Sequence, residues 1–451
     1  MRRWQIVGLL IGQLLGTSSF AQDESPFDPT GYWTGAISQD GSVLRVEMQI
    51  DRSEHGYGAT TTFPDWLYYF PSKPETVRVT GAGLVIEDLL SGDAVLELEP
   101  RFEQLIGTVG TNGRRIHLKR SLAPPRPLIT ARETTFVSAD GTRLAGTLTV
   151  PEFGKAFAGI VMVRGRGCTS RVNGKARVFA RYGLAVLTYD KRGSGQSEGD
   201  CATFTFDQLT QDAIAALEHL ADQEGVDPKR VGMMGESAGA WTIQAATERQ
   251  RQESAATQPA FLVTWIGPTT SIIQQQLSSA ATYGASVGLS EERQAMLAKV
   301  SSIIVDRSLS DKEAFAKLDR IRRAAEKEGW LDTGFGGDDI PATRADMPRL
   351  WLRRFTYDPS AFLSSVGDLP YLAVFGEKDP IVPVEENVAA LRNRGSDTQI
   401  VVLKESGHGY DFDEMALTLP SGEAFLKFEG PDTGFTTSTL AFLRQRGFAT
   451  R

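Results

Sequence analysis

Gly235-Glu236-Ser237-Ala238-Gly239 decides how most of this chain is read. It follows the apolar run Arg230-Val231-Gly232-Met233-Met234 and leads into Ala240 to Arg249, a stretch of helix formers. A G-x-S-x-G pattern between a strand and a helix makes a sharp turn that lifts the serine hydroxyl clear of the backbone. The helix that starts there aims unpaired N–H groups at any negative charge developing beside the hydroxyl. Glycine-rich turns after strands are common, so the pattern takes its meaning from the segments around it.

Two of those segments precede the serine and two follow it. Upstream stand Val161-Met162-Val163-Arg164-Gly165-Arg166-Gly167 and Tyr189-Asp190-Lys191-Arg192-Gly193-Ser194-Gly195-Gln196-Ser197. Downstream stand Val374-Phe375-Gly376-Glu377-Lys378-Asp379-Pro380-Ile381-Val382-Pro383 and Ser406-Gly407-His408-Gly409. In this order the five segments resemble the α/β-hydrolase family over roughly residues 130 to 450. The upstream pair corresponds to the family's H-G-x-G loop and its D-x-R-G-x-G-x-S turn, the downstream pair to its acid and histidine loops. The resemblance implies an α/β-hydrolase fold, a doubly wound and mostly parallel sheet, with the chain order Ser, Asp, His.

By that resemblance Ser237 is the nucleophile, His408 its base, and Asp379 the acid that orients the imidazole. Glu377 is the local rival to Asp379, with a loop carboxylate as its other reading. The remaining histidines, His55, His117 and His219, read as structural or surface residues. The backbone N–H groups of Ala238 and Arg166 are the expected oxyanion donors. One departure stands out: Arg164 occupies the place where the family carries histidine. With Arg166 and Arg171 close by, Arg164 is read as a substrate-binding residue for an anionic group. The competing reading turns these arginines away to pair with Glu198 or Asp200. Asp190 and Arg192 read as a brace between loops, and Trp241 as packing. There is no Cys/His cluster and no H-E-x-x-H, so no metal is expected. Gly193-Ser194-Gly195 lacks a third glycine at dinucleotide spacing, so no nicotinamide or flavin cofactor is expected either.

The bulk properties set the frame. A length of 451 residues exceeds one ordinary domain core, so two domains, or a domain with a large insertion, are expected. A net charge of -8 without a basic block past the first three residues argues against nucleic-acid binding. Met1-Arg2-Arg3, an apolar run Ile6 to Leu15, and Ser19-Phe20-Ala21 read as a signal peptide over residues 1–21, so the mature protein is expected in the periplasm or outside the cell. No other segment is apolar enough for a membrane span. Residues 22–125 carry short alternating runs split by Asp40-Gly41, Gly81-Ala82-Gly83 and Asn112-Gly113, which reads as a small all-β sandwich or barrel. It is expected to serve either as a binding module or as a structural lid. Ala123-Pro124-Pro125-Arg126-Pro127 is a stiff linker into the hydrolase domain, residues 128–451. Strand signals stop at about 268–366, where the family resemblance implies a helical cap over the pocket. Ser310-Asp311-Lys312-Glu313 there reads as a capping box. Cys168 and Cys201 each follow a strand, and these strands are neighbours in the family's sheet, which implies a disulfide in an oxidising compartment. The expected activity is a secreted serine hydrolase acting through an acyl-enzyme on a small-molecule acyl substrate, first of all a carboxylic ester. An acyl thioester, a small peptide, or an inactive binding protein are the alternatives.

Overall fold

The computed structural model describes residues 27–449, apart from residues 40, 64–74, 91, 100–102, 112, 123–128, 153, 155, 335–339, 366, 393–396, 405, 409–412, 419–423 and 431–432. The signal peptide expected at 1–21 and the linker expected at 123–127 lie outside the described residues. The chain forms two compact units, the first ending at Leu122.

The first unit is a closed barrel of β1 (Gly31–Gln39), β2 (Ser42–Ser53), β3 (Gly56–Thr62), β4 (Glu75–Val79), β5 (Gly83–Ile86), β6 (Ala94–Glu99), β7 (Gln104–Val109) and β8 (Arg114–Ser121). β8 returns to pair antiparallel with β1, Gly35 opposite Leu118, so the sheet has no open edge. The two-residue period sorts inward from outward positions: in β6, Val95 is 52% exposed while Leu96 is 2% exposed, and Trp33, Leu44 and Ile116 on other strands are buried like Leu96. β3 has no counterpart in the sequence reading. Its buried positions are Ala59 and Thr61, so the strand carries no apolar alternation to read.

The second unit is built on an eight-stranded sheet. Its strands are β9 (Ile129–Val137), β10 (Arg143–Pro151), β11 (Phe157–Val163), β12 (Leu184–Tyr189), β13 (Val226–Glu236), β14 (Leu262–Trp265), β15 (Tyr371–Gly376) and β16 (Thr398–Leu403). Their order is β16-β15-β14-β13-β11-β12-β10-β9. β9 and β10 form the antiparallel entrance; from β12 onward neighbouring strands run parallel. A separate hairpin joins β17 (Asp413–Thr418) to β18 (Ala424–Gly430). The helices are α1 (Gly174–Arg181), α2 (Phe206–Ala221), α3 (Gly239–Gln252), α4 (Ile272–Ser286), α5 (Glu291–Val305), α6 (Asp311–Lys327), α7 (Leu331–Gly334), α8 (Ser360–Ser365), α9 (Val384–Arg392) and α10 (Thr433–Gln445).

Strand parity sorts the core into two layers. Val161 and Val163 of β11 pack with Leu217 of α2 and Ile243 of α3, while Ile160 and Met162 pack with Phe179 of α1 and Phe435 of α10. Burial on both faces explains why these strands read as continuous apolar runs. Between β14 and β15 the chain leaves the sheet for α4 to α8, whose own core joins Val300 and Ile304 of α5 to Leu318 and Ile321 of α6. Ser310 and Glu313 form the capping box that opens α6, each bonding the other's backbone N–H.

Candidate active site

β13 ends at Glu236, and the next residue breaks the allowed backbone pattern: Ser237 has φ +48°. A left-handed serine costs on the order of 1–3 kcal/mol, and such strain persists only where the surroundings enforce it. Here they do. A Cβ on Gly239 would lie 2.4 Å from the Val163 carbonyl oxygen, so only glycine lets α3 start this close to the end of β11. Gly165 performs the same service from the other side: its Cβ would lie 3.0 Å from the Ser237 Cβ. The turn thus sets the hydroxyl against the loop after β11 and at the N-terminus of a 14-residue helix.

Ser237 Oγ lies 3.0 Å from His408 Nε2. On the far side of the ring, His408 Nδ1 lies 2.8 Å from Asp379 Oδ2. The Asp379 carboxylate is buried and also accepts the Ile381 and Val382 N–H groups through Oδ1, at 2.8 and 2.9 Å. Those bonds leave it one orientation. The two loops are sewn together by Glu377 N–H to the Leu403 carbonyl and Lys378 N–H to the Ser406 carbonyl, both 2.9 Å. Glu377 itself is exposed and bonds its side chain to no described residue of the site. The other histidines lie elsewhere. His219 stacks on Phe136 and bonds Thr134, with its pKa pushed below the ordinary value by burial first and Arg132 second; His117 bonds Gln104 in the barrel.

Two lobes open beside Ser237. One, of about 280 Å³, is lined by Ser237 together with Ile272, Ala280, Leu297, Val300, Ile304 and Val382, and is mainly apolar. The other, of about 590 Å³, is walled by Phe204, Phe206, Trp241, Trp351 and Phe355, and carries Arg166, Lys191, Arg349 and Arg354 against one carboxylate, Asp346. Arg166, Ala238, Trp241 and Trp351 border both lobes. The two residues expected to donate to an oxyanion therefore stand where the lobes meet. Trp241 and Trp351, 6.4 Å apart, form the partition. Trp241 is a pocket wall as well as packing. Trp351, Arg349 and Arg354 escaped the sequence reading, because they sit in short 3-10 turns and loops of the cap that carry no periodic signal.

Arg164 is not where it was expected. Residues i and i+2 share a strand face, so Arg164 follows Met162 to the side away from Ser237. There it borders an enclosure of about 10 Å³ with Lys175 and Glu236 and lines neither lobe. Arg171 is neutralised, though not by Glu198 or Asp200: it pairs with Asp190 and Glu133. Glu198 pairs with Arg143 instead. Of Arg164, Arg166 and Arg171, the one at the pocket is Arg166, its guanidinium 5.5 Å from the Trp351 ring centroid.

The loops behind the site are braced as a unit. Asp190 accepts the Arg171 and Gln196 N–H groups. Arg192 makes a bidentate pair with Asp212, at 2.8 and 2.6 Å, and reaches Asp140 at 2.8 Å. That hydrogen bond holds the Asp140 carboxyl far below the ordinary carboxylate range. Cys168 and Cys201 are joined in a disulfide, Cα atoms 5.7 Å apart, which links the loop after β11 to the segment after β12. Among the described residues no group of His, Cys, Asp and Glu is arranged to hold a metal ion, and no helix is long and apolar enough to cross a membrane.

The X-Pro dipeptidyl-peptidase (S15) family model matches residues 140–333, a span that contains the elbow and stops before Asp379 and His408. The uncharacterized 31.7 kDa protein of the traX-finO intergenic region of Escherichia coli is 24% identical over 243 residues, 53% of this chain and 78% of that protein. Thiohydrolase aneE of Aspergillus aculeatus is 32% identical over 121 residues, 26% of this chain and 37% of that protein. The solved structure of the DcsB complex with its substrate analogue is similar with a TM-score of 0.43 at 18% identity, covering 70% of this chain and 99% of that one. The sheet order and the strand–elbow–helix turn give this chain the α/β-hydrolase fold, and the family match over residues 140–333 supports an enzyme of the serine-hydrolase kind.

Proposed function

We propose that this protein is an exported carboxylic-ester hydrolase that works through an acyl-enzyme on Ser237. The observation that carries the reading is the unbroken chain Asp379–His408–Ser237 at the mouth of an apolar lobe. In the first half-reaction Ser237 Oγ attacks the ester carbonyl carbon while His408 Nε2 takes its proton. The carbonyl oxygen gains the negative charge and receives the N–H groups of Ala238 and Arg166. The tetrahedral adduct then collapses, and His408 returns the proton to the departing alcohol. Water repeats the sequence on the acyl-enzyme and frees the acid. The acyl chain suits the 280 Å³ lobe, and the leaving group the 590 Å³ lobe. The signal-like leader and the disulfide support export.

The charges at the lobes favour esters over dipeptides. A peptide with a free N-terminus presents an ammonium group at neutral pH, and the larger lobe offers four cationic side chains and one carboxylate. The test is a panel of p-nitrophenyl esters, acyl thioesters and X-Pro amides. Esters are expected to exceed amides in kcat/KM by at least tenfold, roughly 1.4 kcal/mol in transition-state binding. X-Pro amides as the best substrates would overturn the reading; thioesters as the best would shift it to the other acyl class, one represented by a relative named a thiohydrolase.

The same lobe predicts a charge preference. An ester whose leaving group bears a carboxylate is expected to exceed its neutral methyl ester about tenfold in kcat/KM, since a charge-assisted contact contributes about 1.5–3 kcal/mol. The double substitution Arg166→Gln, Arg349→Gln removes both side chains, keeps the backbone N–H, and is expected to erase the difference. Equal rates for the two esters in the wild type would show that these arginines only pack.

A further inference from the structure

We propose that Lys191 is a positioning residue for the oxyanion donor: by gripping the carbonyl oxygens on either side of Arg166, it fixes the Gly165–Arg166 peptide with its N–H turned toward the reacting oxygen. The proposal rests on the reading of Ser237 as nucleophile and of Arg166 N–H as donor. Lys191 lies in the turn after β12, the strand beside β11, and its side chain is buried. Its ammonium donates to the Gly165 carbonyl and, at 3.3 Å, to the Gly167 carbonyl, and sits 5.9 Å from the Phe204 ring centroid. No carboxylate among the described residues lies within ion-pair distance of it. Burying an ammonium against carbonyls and a ring alone is costly. The return is geometric.

A trans peptide points its C=O and N–H in opposite directions. Holding the Gly165 oxygen on the Lys191 side therefore turns the Arg166 N–H to the opposite side. Gly165 touches Ser237 there, and Arg166 borders both lobes. Within the segment Arg164-Gly165-Arg166-Gly167, the Gly165 carbonyl is the group on which the orientation of this peptide turns. Gly165 has no side chain to resist a peptide flip, Gly167 stands at φ +92°, and residues 166–168 are exposed. A flip would aim a carbonyl oxygen at the developing oxyanion. Other ties of the loop act through the Arg166 side chain on Trp351 or farther along: Lys191 N–H to the Thr169 carbonyl at 3.3 Å, Arg171 N–H to Asp190 at 2.7 Å, and the disulfide at Cys168. None of these reaches Gly165.

The grip is also titratable. Burial first, and the Arg164 charge second, hold the Lys191 ammonium down to about 7, with Asp212 of α2 acting the other way. Asp212 is already paired with Arg192, and the larger lobe that Lys191 borders carries the cationic Arg166, Arg349 and Arg354 and one carboxylate, Asp346, which lies 3.7 Å from Arg349. Above that pH the neutral amine is a weaker donor, so kcat should fall on the alkaline side.

The experiment compares wild type and Lys191→Met, full length, on the best ester of the panel. In Lys191→Met kcat is expected to fall about 10- to 100-fold with KM within about twofold, less than the roughly 10²–10³ of a donor removed outright. Affinity for a trifluoromethyl ketone, whose adduct places an oxyanion in the same position, should fall by the same factor. The alkaline decline of kcat between about pH 6 and 9 should appear in the wild type and vanish in the variant. A variant kcat within about twofold of wild type, or a loss confined to KM with the ketone affinity unchanged, overturns the proposal. If Lys191→Met does not fold by circular dichroism, the wild-type profile decides, and a kcat without an alkaline decline overturns it. Stoichiometric fluorophosphonate labelling of Ser237 in the wild type separates the two levels: without it the underlying reading fails and this proposal with it, whereas labelling with an unaffected variant sinks the lysine alone.

Discussion

Ser237→Ala is expected to lower kcat by about 10⁴–10⁶-fold while leaving the fold intact, since a nucleophile that shares its chemistry with a histidine and a carboxylate takes the whole assembly with it. Alanine adopts φ +48° no more and no less readily than serine, so the elbow has no reason to open. A fluorophosphonate should add its mass to the peptide carrying Ser237 in the wild type and to no peptide in the variant. Labelling that persists after the substitution would sink the assignment. Asp379→Asn probes the next link. The carboxylate accepts two backbone N–H groups as well as the imidazole, and an amide can keep those bonds only by turning its NH₂ toward His408 Nδ1. That selects the tautomer with Nε2 protonated, which cannot accept the Ser237 proton. A loss of about 10⁴ in kcat with little change in KM is expected. A variant that keeps a tenth of wild-type activity would move the acid elsewhere.

Removal of the Cys168–Cys201 bridge is expected to cost about 3–4 kcal/mol of stability in the second unit, from the freedom restored to the unfolded chain over a separation of 33 residues. For a unit of this size that corresponds to a Tm lower by roughly 10 °C. The bridge also lines the larger lobe and holds the loop after β11 two residues beyond Arg166, so kcat should fall with it. The measurement is thermal unfolding and ester turnover of the protein with and without reductant, beside Cys168→Ser, Cys201→Ser. Peptide mapping under non-reducing conditions reports the bridge itself. An unchanged Tm in reductant, with both thiols then alkylatable, would show that packing alone holds this loop.

The sequence alone was enough wherever the chemistry is local. A sharp strand-to-helix turn demands small residues at both ends of five positions, so Gly235 to Gly239 can be read as one once the apolar run before it, the helix formers after it and the four flanking motifs are read with it. Buried parallel strands must be apolar on both faces, and the runs Val161-Met162-Val163, Arg230 to Met234 and Val374-Phe375 beside the motifs lie within β11, β13 and β15. A capping box needs its two partners three residues apart, and Ser310 and Glu313 are. The Ser, Asp, His order and the cysteine pair were legible because each follows a strand whose place in the sheet is set by the motifs beside it.

Tertiary structure decided everything that depends on which side of an element a residue faces or on what a distant segment brings to it. Arg164, Gly165 and Arg166 are consecutive, yet strand parity sends Arg164 beneath the sheet and leaves Gly165 against Ser237. A one-residue shift would exchange those fates, and no composition rule marks the register. Arg171 found Asp190 and Glu133 because β9, β12 and the loop before α1 converge, not because any of these is near in sequence. Much of the wall of both lobes comes from cap residues between Ile272 and Phe355, placed by helix packing that the periodic signal does not specify. Lys191 is the plainest case: in sequence it is an unspecified position of the D-x-R-G-x-G-x-S turn, and in the fold its ammonium lies against the backbone of the loop expected to supply an oxyanion donor. A residue that acts on backbone atoms leaves no complementary side chain to be read, so only the folded chain could show it.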